Sequence, residues 1–280
     1  MDYVELLRIR NAARIYGSIL VLLVAIAMAA ALWGIQQGHE PGFSSDRVTV
    51  ISISSDTGDA KTPVAKSISD LPFTIPIGFL AGIAAFAAII FATILGPSMN
   101  KENDGAGFAF TKPVSRERLA IRYVLADLAA IIGCFAFSVT LMVAGIALIG
   151  LFGRLVIDPH AFEIAACGLG AAVMWYGLLQ AFTSWHRLPG GLFIGLSWIA
   201  ASVVGPIASA IDLGPAFHAA VMAVDHLNPL AYYGGVTTSG HLVTPRSSLG
   251  LGSLETIGLT WSIGIVACAV AALSWKRVEI

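Results

Sequence analysis

Six long apolar runs divide this chain, at roughly Ile15–Ile35, Phe73–Gly96, Tyr123–Phe152, Ala161–Phe182, Gly191–Ile211 and Leu254–Leu273. Each supplies the roughly 20 helical residues that cross a hydrocarbon core about 30 Å thick. Lipid offers backbone N–H and C=O groups no hydrogen-bond partner, so a spanning segment must be a helix or a strand of a closed barrel. The runs show no alternation of apolar and polar residues, which argues against barrel strands. The expected fold is an all-α polytopic membrane protein with six transmembrane helices in a single domain over residues 1–280. Composition agrees, since only 12% of residues are charged and the mean hydropathy is +0.82, against about 25% charged residues in soluble domains. The third run is longer than a bilayer needs, which predicts tilt or a bend.

Arg8, Arg10 and Arg14 precede the first run. Its apolar stretch of about 20 residues exceeds the roughly 7–15 of a cleaved signal peptide, so a retained helix is expected. Lys and Arg then orient the bundle by the positive-inside rule. With the N-terminus inside, the inner segments hold eleven basic residues and the outer segments five. Both termini are therefore expected in the cytoplasm, and the expected location is a bacterial-type cytoplasmic (inner) membrane. Residues Met1–Arg14 read equally as a surface helix at anionic headgroups or as a polar cap on the first span. A net charge of −1 gives no electrostatic reason to expect nucleic acid.

The outer segment 36–72 contains Val48–Ser54, whose alternation has strand character. A second outer segment, Asp212–Ser253, reads as partly irregular, with Pro215–Asp225 as a short interfacial helix. Gly78 with Gly82, and Gly191 with Gly195, are four apart and permit close helix approach, although such pairs arise by chance in a chain with 29 glycines. Pro206 should bend the fifth span. Cys134, Cys167 and Cys268 fall inside runs and read as inert buried thiols. His39, His160, His218, His226 and His241 are scattered over the outer side and read as loop residues rather than metal ligands. Asp127, about one turn into the third run, reads as an interfacial acid facing the bundle, within reach of Arg118 or Arg122. No proton relay is expected from it, because no further polar stations follow.

No zinc-binding His-Glu-x-x-His, nucleophile elbow or Gly-x-x-x-x-Gly-Lys-[Ser/Thr] phosphate loop occurs. The chain is not expected to be an enzyme, and any driven transport would draw its energy from a partner. Attention falls on the polar stretch Ser98–Arg122, which holds Lys101, Lys112, Arg116, Arg118 and Arg122 between two apolar runs. Pro113 blocks a continuous helix and restricts the residue before it. Ser115 is placed to cap a helix starting near Arg116. The arginines are suited to forked contacts with carboxylates of a docking protein or with lipid phosphates.

Glu102-Asn103-Asp104-Gly105 followed by Pro113-Val114-Ser115-Arg116 resembles the cytoplasmic loop between spans two and three of type-2 ABC exporter permeases, the ABC-2 family. Asn228-Pro229 before the last span and the basic tail Trp275-Lys276-Arg277 are similar to other short elements of that family. The long first outer loop and Asp127 depart from it. The resemblance implies a permease subunit that pairs with a second permease, identical or related, and with two cytosolic ATPase subunits carrying ATP and Mg. It implies that residues 98–122 couple to the ATPase through Glu102, Gly105, Pro113, Ser115, Arg116 and Arg118, and it implies no cofactor in this chain. The absence of a polar cavity in the runs favours an amphipathic or lipid-like cargo. The alternative is a non-transporting membrane scaffold or sensor that binds a partner through the outer loop 36–72.

Overall fold

The computed structural model describes residues 3–36, 75–96, 116–185, 226–239 and 242–274, with Gly214, Pro215 and Ala219 besides. Among these residues, five helices are long and apolar enough to cross a membrane. They are α1 (Tyr3–Gln36), α2 (Ile77–Leu95), α3 (Arg116–Leu148), α4 (Ala161–Trp185) and, after a one-turn α5 (Pro229–Tyr232), α6 (Ser253–Ser274). The expected fifth run, Gly191–Ile211, its Pro206 and the Gly191/Gly195 pair lie outside the described residues. So do Val48–Ser54, nearly all of the outer loop 36–72 and most of Pro215–Asp225.

Helix ends follow local chemistry. Pro76, which has no N–H to donate, precedes the first residue of α2. The third run was expected to continue to Phe152, but α3 stops at Leu148. Gly150 there takes φ +78°, its N–H bonds to Ala147 O at 3.0 Å, and Leu151 N–H reaches back to Ile146 O at 3.0 Å. That pair of bonds is a Schellman ending, for which glycine bears the positive φ at least cost. The surplus length of α3 lies at its start, where the helix begins at Arg116, immediately after Ser115. At the N-terminus, one continuous helix runs from Tyr3 to Gln36. Residues Tyr3–Arg14 are thus continuous in helix with the first apolar run.

Buried α4 organises the bundle. Every residue from Gly170 to Gln180 is buried, and α6 and α2 make the two most extensive helix contacts in the fold, both with α4. Trp261 Nε1 donates to Ala166 O at 3.1 Å. Further along, the Gly264 backbone sits against Met174, and Gly177 sits against the Gly264 carbonyl. Both residue numbers rise together along this contact, so α4 and α6 run in the same direction. Likewise Gly78 meets Ile164, Gly168 meets Ala85 and Gly96 meets Leu179, so α2 is parallel to α4 as well. Such close approach between helices needs small residues, because in lipid the association rests on packing rather than on water exclusion. Of the glycines singled out in the sequence, Gly78 and Gly82 are both buried, and Gly82 faces Tyr233 and Val236 rather than another long helix. The three cysteines are free and buried, as expected.

The end of the bundle where α2, α4 and α6 begin is closed by a small polar cap. Ile75–Pro76 (β1) pairs in parallel with Leu155–Val156 (β2), and Val236–Ser239 (β3) pairs antiparallel with Leu242–Pro245 (β4). Asp158, 5% exposed, ties three pieces together. Its Oδ1 accepts from His160 N at 2.9 Å, turning the chain into α4, and its Oδ2 accepts from Val243 N at 3.2 Å in β4. Asp158→Ala should cost about 2 kcal/mol, one lost turn bond plus one lost buried bond. Limited proteolysis should then cut within residues 236–245 earlier than in wild type. Unchanged cleavage would show that Asp158 does not hold the hairpin.

Candidate functional site

The Asn228-Pro229 element flagged in the sequence lies in the cap. Asn228 Oδ1 accepts from Leu230 N at 3.0 Å as an N-cap, and Pro229 follows at the first helical position. This one-turn helix delivers Tyr232 and Tyr233 into the core, where both are buried. The Tyr233 hydroxyl donates to Gly82 O at 3.2 Å, inside α2. Burial raises the Tyr233 pKa, which keeps the phenol protonated as that donor. Ser247 and Ser248 hydroxyls both bond Ala231 O at 3.1 Å. The element is thus a structural plug. Its neighbouring hairpin was legible but unread, since Val236–Thr238 and Leu242–Thr244 are β-branched or apolar segments separated by a short Ser-Gly-His stretch.

Of the six residues expected to couple to an ATPase, only Arg116 and Arg118 are described, and they lie towards the opposite end of the bundle. Glu102, Gly105, Pro113 and Ser115 lie outside the described residues. Arg116 opens α3, and Arg118 and Arg122 are exposed on it. From there one buried stripe runs unbroken up α3 through Ala120, Val124, Asp127, Ile131, Cys134, Ser138 and Met142. Its spacing of three and four residues is that of a helix face packed along its whole length.

Asp127 is fully buried, so it does face the bundle as expected. The Tyr176 hydroxyl donates to Asp127 Oδ2 at 2.8 Å and accepts from Gln180 Nε2 at 3.3 Å. Arg118 and Arg122, the partners expected for Asp127, instead point outward. This three-residue chain bonds α3 to α4, and sequence reasoning missed Tyr176 and Gln180. The available signal was their separation by four in an otherwise apolar helix, which puts both on one face.

Two more side-chain bonds join the long helices. Trp175 Nε1 donates to Thr93 Oγ1 at 2.9 Å, joining α4 to α2. Tyr16 and Ser138 hydroxyls are 3.2 Å apart, joining α1 to α3. Ser138 spends its own proton on Cys134 O at 2.8 Å, so Tyr16 is the donor. Each helix from α1 to α4 thus takes part in an interhelical side-chain hydrogen bond. Such bonds average about 0.6 kcal/mol in membranes and specify alignment more than they add stability.

Helix register sets the height of α3. Asp127 is level with Tyr176, and the end of α2 at Gly96 is level with Leu179, three residues further along α4. Eleven residues separate Arg116 from Asp127, about 16 Å at 1.5 Å per residue, so α3 starts about 12 Å beyond the end of α2. Chemically, this end presents an exposed basic helix start mounted on a hydrogen-bonded base. No group of three or more His, Cys, Asp or Glu able to hold a metal occurs among the described residues. Comparison with known proteins finds no match to a family model, to a curated protein or to a solved structure.

Proposed function

We propose that this chain is the membrane-spanning permease subunit of an ABC-2-type exporter, powered by a separate cytosolic ATPase. The observation that carries the reading is the start of α3. It follows directly on the Pro113-Val114-Ser115 element, shows an exposed Arg118, and projects beyond α2 as the first part of one continuous helix. A push on residues 98–122 would travel along α3 to the Asp127–Tyr176 and Tyr16–Ser138 bonds, and so to α4 and α1. ATP-driven closure of two ATPase subunits would supply that push, and a second permease subunit would form the other half of the path. The parallel course of α4 and α6 supports a reading with a sixth span at Gly191–Ile211 and termini on one side.

A groove of about 450 Å³ between α4 and α6 suits a lipid-like cargo. It is walled by Leu178, Phe182, Ile263, Val266 and Val270, with Ser262 as a polar contribution. Apolar walls of this kind accept hydrocarbon and reject ions. An ion-driven transporter would instead lose activity on Asp127→Asn, with ATP irrelevant.

Charge reversal tests the coupling directly. Arg116→Glu with Arg118→Glu should reduce co-purification of the ATPase at least tenfold and abolish ATP-dependent export, because a like-charge contact replaces forked pairs. Full export with unchanged co-purification would remove the proposed role.

A further inference from the structure

One edge of the cap is apolar. Beyond the end of α3 the chain reads Ile149-Gly150-Leu151-Phe152-Gly153-Arg154-Leu155-Val156-Ile157, so largely apolar sequence outlasts the helix. Its backbone passes from the glycine turn into a single 3₁₀ turn at Phe152–Arg154 and then into the two residues of β2. Arg154 N–H bonds to Leu151 O at 2.9 Å, and Asp158 closes the segment through His160 and Val243. Between these ties Leu155 pairs with Ile75 and packs against the cluster of Ile75, Leu80 and Met142.

With Leu155 turned inward, its apolar neighbours face out. Phe152 is 61% exposed and Ile157 82%, Val156 is exposed beside them, and Leu148 and Phe162 on the flanking helix ends are exposed too. Exposed apolar side chains gathered in this way mark an interaction site. What covers them follows from three properties of the segment. The first is continuity, because Leu125, Ile132 and Phe137 are exposed along α3 before Leu148, and the outward side of a membrane-spanning helix meets lipid. The second is the backbone. Outside a helix or closed barrel, lipid offers N–H and C=O groups no partner, so this backbone does not enter the hydrocarbon. The third is charge, since Arg154 is exposed in the middle of the segment, and a charged group is costly in the hydrocarbon core but not at its edge. Side chains that suit lipid on a backbone that needs water belong at the boundary between the two.

We propose that residues 149–157 form a membrane-surface anchor, with Phe152, Val156 and Ile157 inserted between the headgroups and upper acyl chains of the leaflet at the cap end. Through β1 and Asp158 this anchor holds the start of α2 and the β3–β4 hairpin against the membrane surface. It requires only that the chain spans a membrane, and no ATPase partner enters its test.

Phe152→Cys, Ile157→Cys and Arg246→Cys are made one at a time in the full chain, spin-labelled after folding and reconstituted in phosphatidylcholine vesicles. Cys134, Cys167 and Cys268 are buried, and wild type carried through the same labelling supplies the background. Arg246, a charged and exposed residue next to β4, is the water-side reference. Apolar oxygen concentrates in acyl chains and a nickel chelate stays in water, so the two relax a label in opposite proportions. At Phe152 and Ile157 the ratio of oxygen to nickel relaxation should rise several-fold over that at Arg246. Ratios equal to that at Arg246 would overturn the proposal, since the segment would then stand in water. Weak relaxation by both reagents would overturn it too, by placing a protein surface, such as a second copy of this chain, over the segment. Gly153→Cys, where nothing lies within 4 Å of the added side chain, gives the same reading if the other changes prevent insertion.

Discussion

Gly264→Ala should lower the thermal midpoint in detergent by roughly 4–8 °C, whereas Gly258→Ala on the same helix should leave it unchanged or raise it slightly. A methyl group at Gly264 would stand 2.9 Å from Met174 N, 2.9 Å from Val173 Cγ1 and 3.0 Å from Met174 Cα. Two of those atoms are backbone and have no rotamer in which to escape. Overpacking of this kind costs about 1–3 kcal/mol, and about 2 kcal/mol corresponds to the stated shift. At Gly258 nothing lies within 4 Å, so alanine there brings only its better helix propensity, about 1 kcal/mol. The three buried cysteines provide the readout, because a thiol-reactive fluorophore labels them as the bundle opens. Equal melting of the two variants would mean that α4 and α6 do not meet through Gly264.

Tyr176→Phe should destabilise the protein by about 1–3 kcal/mol, with almost no change in packing volume. The lost hydroxyl leaves buried Asp127 one donor short and Gln180 one acceptor short, and an unmet buried polar group costs more than the bond itself contributes. Asp127→Ala should cost at least as much, since it also opens a cavity. The double variant should lose less than the two single losses added together, by about 1–2 kcal/mol, because the second change removes a partner already missing. The same dye-labelled melts supply all corners of that cycle. Strict additivity would show that the 2.8 Å contact between Tyr176 and Asp127 carries no coupling.

What could be read in the sequence followed from periodicity and local chemistry. Five of the six apolar runs became helices, and Ser115 correctly marked the start of α3 one residue on. The inward direction of Asp127 was also legible, since a carboxylate within an apolar run has nowhere favourable to face except the bundle. The glycines were legible as a type of contact but not as particular contacts. Nothing about Gly170, Gly177 or Gly264 separates them in the sequence from Gly133 or Gly258, around which the structure leaves open space. The polar base behaved in the same way. Tyr176 and Gln180 read as incidental polar residues until α3 brought Asp127 to them.

The sequence by itself determined that the chain is helical and suited to a membrane, and where α3, α4 and α6 start. These properties depend on burial period, capping and charge, each of which acts within a few residues. The tertiary structure alone decided that α2, α4 and α6 run parallel, and that Tyr16, Asp127 and Thr93 anchor neighbouring helices. Each of those facts joins residues tens of positions apart. Only the sliding and tilt of packed helices set such relations, and no local pattern encodes them.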